Sequence, residues 1–216
     1  MQPQAQHPGI FLTIEGVEGV GKSTAVKFIQ KYLAERAQDF IVTREPGGTG
    51  IAEQIRQILL TPNPEEVLAP EAELLLMFAA RAQHVVNKIE PALQAGMWVI
   101  SDRFADASYA YQGMGRGLNL SQIAALEKWV VKTYPKATIL LDAPPSIGLT
   151  RAKNRGPQDR IEQEKLDFFE RVREGYLQRA ANDSKRFFVI DATQPLVEVH
   201  AEIKTLLDKL LLEKTC

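Results

Sequence analysis

Five short apolar runs, each ending at a charged residue, set the pattern of this chain. They are IFLTIE (10–15), DFIVTR (39–44), MWVISD (97–102), ATILLD (137–142) and RFFVID (186–191). Each is apolar through its body and does not alternate, as strands do when both faces of a parallel sheet are covered. Parallel neighbours cannot be joined by tight turns, so a crossover must fill each gap. The gaps hold helix-like stretches at 22–37, 50–60, 70–95, 120–133, 163–181 and 196–213. The alternation predicts a doubly wound α/β fold with helices on both faces. No repeat, low-complexity tract or linker interrupts it, which predicts one domain over 1–216.

Composition narrows the function classes. A chain of 216 residues, 45% hydrophobic, supports one sizeable core and is short for two. Lys+Arg number 26 against Asp+Glu 27, a net charge of −1. No global basic field draws such a chain to nucleic acid or to an anionic membrane. The single cysteine, Cys216, leaves no disulfide within one chain and suits a reducing cytosol. MQPQAQHPG lacks the basic start and apolar centre of a signal peptide, and no apolar run approaches the ~18 residues of a span. We expect a soluble cytoplasmic protein whose residues 1–9 form a flexible tail.

In open α/β sheets ligands bind beyond the strand C-terminal ends. The first such end reads GVEGVGKS, in which Gly16, Gly21, Lys22 and Ser23 fit G-x-x-x-x-G-K-[ST]. A loop around a polyphosphate must turn its N–H groups inward, in conformations that glycine reaches without strain. The helix that follows presents its positive end to the same anion. The residues expected to hold ATP are therefore Gly16, Val17, Glu18, Gly19, Val20, Gly21, Lys22, Ser23 and Thr24. Lys22 would reach the β- and γ-phosphates, and Ser23 would ligate Mg²⁺ as cofactor. Strand before and helix after are the context that this motif requires. Glu18 is an anomaly, because an acid sits where phosphates are expected.

The guanine reader N-K-x-D has one near miss, NKIE at 87–90, inside a helical stretch, and D-x-x-G does not occur. A small kinase is the favoured class, and it must hold a second anionic substrate. Arginines gather at the right places: Arg44 and Arg103 at strand ends, Arg56 and Arg81 on helices. A further group, Arg151, Lys153, Arg155 and Arg160, surrounds a Gly-Pro break. Bidentate guanidinium suits phosphate well.

IEGVEGVGKST, TREPGGT, LLLMFAARAQHV, DRFADASYAYQG and RAKNRGPQDRIEQE follow in order, with VIDATQP after them. In these segments the chain resembles the thymidylate kinase family, its bacterial branch, over nearly its whole length. That resemblance implies a P-loop nucleoside monophosphate kinase fold with a five-stranded parallel sheet, and a homodimer. It implies transfer of the γ-phosphoryl of ATP to dTMP, with Mg²⁺.

The resemblance also implies site residues. Glu18 turns toward the acceptor, near its 3′-hydroxyl, compensated by Arg103 or the metal. Arg103 binds the acceptor phosphate where the two nucleotides meet, with Arg56 and Arg44 completing the clamp, and Asp102 makes an outer metal contact. Phe78 and Arg81, three apart on one helix face, cover the thymine, with Ser108 and Gln112 at its edge and Tyr111 beneath the sugar. The family often carries its aromatic four residues before this arginine, where this chain has Met77, so the resemblance leaves two residues, Phe78 or Met77, to cover the base. The segment 151–160 is lid-like: Arg155 would meet the transferred phosphoryl and Arg151 the adenine. His84 reads as a helix residue outside the chemistry.

The acceptor phosphate has a second pKa near ~6 and is ionised already, so no general base is required. Catalysis then rests on cations: Lys22, Mg²⁺, Arg103 and the arginines of 151–160. Two other readings stay open, a kinase for a different small acceptor and a nucleotide-binding module without turnover.

Overall fold

All five apolar runs become strands, each lying within the stretch predicted for it. The computed structural model describes residues 9–153 and 158–215. β1 (Phe11–Glu15), β2 (Phe40–Arg44), β3 (Trp98–Asp102), β4 (Ala137–Asp142) and β5 (Phe187–Asp191) form one parallel sheet in the order β2-β3-β1-β4-β5. Leu12 stands beside Ile100 on one side and Ala137 on the other, which fixes the central register. β1 is buried throughout, and its polar members are provided for: Thr13 shares a 2.8 Å hydrogen bond with Thr138.

Successive side chains of a strand face opposite ways, and β1 divides accordingly. Leu12 and Ile14 pack with Ile29 and Leu33 of α1 (Lys22–Ala34), Phe169 of α8 (Leu166–Asn182) and Ile203 of α9 (Leu196–Thr215). Phe11 faces a second cluster with Val85, Ile89 and Ala92. These belong to one helical path over 70–94: α3 (Pro70–His84), a π-helical turn (Val85–Ile89) and α4 (Glu90–Gln94). α2 (Gly50–Leu60) begins at Thr49, whose hydroxyl accepts from the Ala52 N–H. α6 is Leu120–Val130.

Two helical segments were not predicted. One is α5 (Ala105–Ser108), continuing into a π-helical turn, Tyr109–Gly115; the other is α7 (Pro145–Lys153). Glycines in YAYQGMG and the prolines before SIG hide the helical period there. The predicted 22–37 helix stops at Ala34, with Ala37 left-handed at φ 51°, and the 120–133 helix stops at Val130. Among the described residues no helix is long and apolar enough to cross a membrane.

Candidate active site

The order of strands dictates where a site can lie. β1 is central, with β3 and β2 on one side and β4 and β5 on the other, and all C-terminal ends open toward one edge. A cavity of about 640 Å³ occupies that edge. Its floor is residues 18–25, directly after β1. Arg44, Arg56, Met77, Arg81 and Tyr111 line the β2–β3 side, and Arg151, Ala192, Gln194 and His200 line the β4–β5 side.

Gly16, Gly19 and Gly21 have φ of 132°, 71° and 100°, the region that favours glycine. At Gly19 a Cβ would also stand 1.9 Å from the Gly148 carbonyl oxygen of α7. Lys22 opens α1 and folds back over the loop, donating to the carbonyls of Gly16 at 3.0 Å and Val17 at 2.8 Å. Burial, with Arg103 nearby, pulls its ammonium down from 10.5 to about 8. A buried cation curled over a glycine-rich loop is suited to receive an anion. Ser23 and Thr24, on the first turn of α1, are exposed and line the cavity.

Glu18 does not point back at Lys22. Arg103 donates to its Oε1 at 2.8 Å, and Tyr111 donates to both carboxylate oxygens, at 2.7 and 2.9 Å. Arg103 follows β3 and has φ 68°, rare for a residue with a side chain. Five groups hold it there, counting Glu18 and the Ser101 hydroxyl, which donates to the Arg103 carbonyl at 2.7 Å. Its N–H donates to Ile14, and one guanidinium nitrogen donates to Gly16 O at 2.8 Å and to the Tyr176 hydroxyl at 2.9 Å. The Phe104 N–H beyond it donates to Glu15 Oε1 at 2.7 Å, while Tyr176 donates to Oε2. Burial and the nearby Asp106 push the Glu15 carboxyl up from 4.5 to about 8.

On the β2 side, Glu45 is buried between Arg81 and His84. Arg81 Nε donates to Glu45 Oε2 at 2.7 Å, and His84 Nδ1 lies 2.9 Å from Oε1. The other His84 nitrogen is 2.6 Å from Thr43 Oγ1, so the imidazole holds the loop after β2. Arg81 further donates to Ser108 Oγ at 3.1 Å and to Phe104 O at 3.0 Å. Arg56 donates to the Pro46 carbonyl at 2.8 Å, and Arg44 pairs with Glu53 at 3.0 Å. Burial, with Arg44 close by, lowers the Arg56 pKa. Two guanidiniums crowded at one end of a cavity form a place for an anion.

The arrangement is thus a phosphate loop between two differently furnished halves, one rich in arginine and one with mixed lining. A family model described as thymidylate kinase matches residues 14–203. The chain belongs to the thymidylate kinase family. The thymidylate kinase of Hahella chejuensis is 52% identical over 196 residues, 90% of this chain and 94% of that one. That of Pseudomonas entomophila is 51% identical over 204 residues, covering 94% and 97%. The crystal structure of a thymidylate kinase from Ehrlichia chaffeensis superposes with a TM-score of 0.75 at 33% identity, covering 93% of this chain and 99% of that chain.

Within this kinase, the structure brings Lys22, Ser23, Thr24, Glu18, Arg44, Arg56, Arg81, Asp102, Arg103, Ser108, Tyr111, Gln112 and Arg151 to one cavity. Phe78 is a correction. It is 2% exposed, packed with Leu74, Tyr109 and Ile123, and it does not line the cavity, whereas Met77 does. The Arg81 guanidinium lies 4.6 Å from the Phe78 ring centroid, so the shared helix face is real but turned into the core. Arg160 also departs from expectation. It donates to the Glu73 carboxylate at 2.6 Å and to Leu59 O at 2.7 Å, an anchor on α2 and α3. Arg155 lies outside the described residues. Sequence reasoning missed Glu15, Glu45, Glu73 and Tyr176, because their partners come from distant segments. It also missed Gln194, although DATQP was visible as a strand end.

Proposed function

We propose that this chain transfers the γ-phosphoryl group of ATP to dTMP, giving ADP and dTDP. The observation that carries this reading is Glu18, an acid inside the phosphate loop held by Arg103 and Tyr111 from the β3 side. The loop serves one nucleotide with its N–H groups while its one carboxylate serves the other. The acceptor lies on the β2–β3 side. Arg44, Arg56 and Arg103 take its phosphate, Arg81 and Ser108 the pyrimidine edge, and Tyr111 fills the space below the sugar. Met77 covers the base. ATP lies on the β4–β5 side, over residues 16–24, with its adenine near Arg151 and Gln194.

Ser23 and Asp102 suit Mg²⁺, which usually takes one or two protein oxygens and fills the rest with water and phosphate. When bound, the ion would neutralise charge on the phosphate oxygens. The chain's own groups do the remaining work. Lys22 leaves its two carbonyl contacts for the β- and γ-phosphates, and Arg103 spans the gap between donor and acceptor. No side chain needs to remove a proton, since the acceptor oxygen, with a second pKa near ~6, is already ionised. We assign the transition-state contact to Arg155 from its sequence position. We also read the kinase as cytoplasmic and as a homodimer, the latter supported by exposed Leu75 and Val86 on the 70–94 path and Trp129 on α6.

ADP release measured with dTMP, dUMP, CMP, GMP and thymidine tests the reading. Turnover should be greatest with dTMP. A preference for thymidine would overturn the phosphate clamp, and binding without ADP release would make the chain a nucleotide sensor.

A further inference from the structure

Glu73 sits in the first turn of α3, 1% exposed, outside the machinery assigned above. Arg160 donates to Oε2 at 2.6 Å and Arg116 at 3.2 Å, and Arg116 Nε lies 3.4 Å from Oε1. The Gln112 amide nitrogen donates to Oε1 at 2.8 Å. Burial pushes the Glu73 carboxyl up, but the Gln112 amide, Arg116 and Arg160 outweigh it and hold the group below the usual carboxylate range. The carboxylate therefore stays ionised.

An ionised carboxylate only accepts hydrogen bonds. Gln112 must then turn its NH₂ to Glu73, and its carbonyl oxygen is what remains for the cavity that Gln112 lines. Among the described residues that oxygen has no hydrogen-bond partner. Thymine and uracil carry a hydrogen on N3; cytosine carries a lone pair there. A fixed carbonyl accepts from the first kind of base and repels the second.

We propose that Glu73 is a specificity-determining positioning residue, which locks the Gln112 amide so that the acceptor site selects pyrimidines bearing an N3 hydrogen. The proposal rests on the dTMP reading above and deepens it. Without Glu73 ionised, Gln112 can flip and offer its NH₂ to cytosine N3. Mismatched buried polar groups discriminate strongly, because one partner is left desolvated and unsatisfied.

The test compares kcat/KM for dTMP, dUMP and dCMP in the full chain, in Glu73→Gln, and in the exchange variant Glu73→Gln/Gln112→Glu. The single variant should narrow the dTMP-to-dCMP ratio by roughly tenfold to a hundredfold, with dUMP moving in step with dTMP. The exchange variant keeps the net charge and restores a fixed acceptor facing the base, so it should recover the ratio. Equal losses for all three substrates in Glu73→Gln would overturn the proposal and leave Glu73 as an anchor for Arg160. If Glu73→Gln does not fold, the exchange variant still decides: a ratio below that of the wild type by tenfold overturns it. Wild-type protein without dTMP turnover would instead defeat the underlying reading, an outcome the ratio cannot mimic.

Discussion

Tyr111 donates its phenolic hydrogen between the two oxygens of the Glu18 carboxylate, at 2.7 and 2.9 Å. The tyrosine comes from the π-helical turn after β3, the acid from the loop after β1, and Arg103 meets the same acid at 2.8 Å. Removing the hydroxyl leaves Arg103 as the carboxylate's remaining anchor. Tyr111→Phe should lower kcat/KM for dTMP by about tenfold to a hundredfold, the worth of one hydrogen bond to a charged group. KM for ATP should change little. Steady-state kinetics with each substrate varied in turn checks this, and an effect confined to ATP would speak against it.

Glu15 makes stability depend on pH. Its folded carboxyl holds a proton up to about 8 against 4.5 when free. The folded state thus binds the proton more tightly, so this contribution is complete below about 4.5 and disappears as pH rises through about 8. Glu15→Gln keeps an acceptor for the Phe104 N–H and carries no charge. The stability of the wild type relative to Glu15→Gln should fall by a few kcal/mol, an order-of-magnitude figure, as pH rises across that window. Urea unfolding of both proteins over a buffer series reads the difference, and parallel curves would refute the assignment.

Lys22 should take up protons when nucleotide binds. Its buried ammonium titrates at about 8 in the free protein, and a phosphate anion beside it restores the charged form. Near pH 8 the uptake should approach roughly half a proton per ATP, shrinking as pH falls toward 6. Calorimetry in buffers of different ionisation enthalpy measures it. Lys22→Met should abolish the uptake together with turnover.

Gly148 tests how closely α7 supports the phosphate loop. Alanine inside a helix is normally favoured over glycine by about 1 kcal/mol. Here the added Cβ would stand 2.2 Å from the Glu18 carbonyl oxygen, a backbone atom that cannot swing aside as a flexible side chain could. Gly148→Ala should therefore lower Tm and raise KM for ATP severalfold. Gly50→Ala, where a Cβ meets nothing within 4 Å, should leave both unchanged or raise Tm slightly.

The inner strands β1, β3 and β4 were legible because burial on both faces leaves an unbroken apolar run. The edge strands β2 and β5 kept that run although they are less covered, with Val189 exposed. The helix at 105–115 escaped because a π-helical turn does not keep the 3.6-residue period. That at 145–153 escaped because PSIGLTRAK is short and carries few apolar residues at helical spacing. The phosphate loop was legible because its glycines answer to backbone geometry. Phe78 shows the limit of periodicity. Spacing put it on one face with Arg81, but it could not say whether that face met the cavity or the core. Glu15, Glu45 and Glu73 were illegible for a different reason. A buried acid is recognisable by its partners, and Tyr176, His84 and Arg160 lie 161, 39 and 87 positions away from them respectively.

Arg103 occupies a backbone shape that most side chains avoid, at φ 68°, and such residues cost about 1–3 kcal/mol each. Glycine would relax that shape and erase the guanidinium in one step. Selection for heat resistance alone would therefore pull this position one way, while selection in a growing cell would hold it the other. Libraries screened only for survival of heating should be watched for enzymes that endure and no longer turn over.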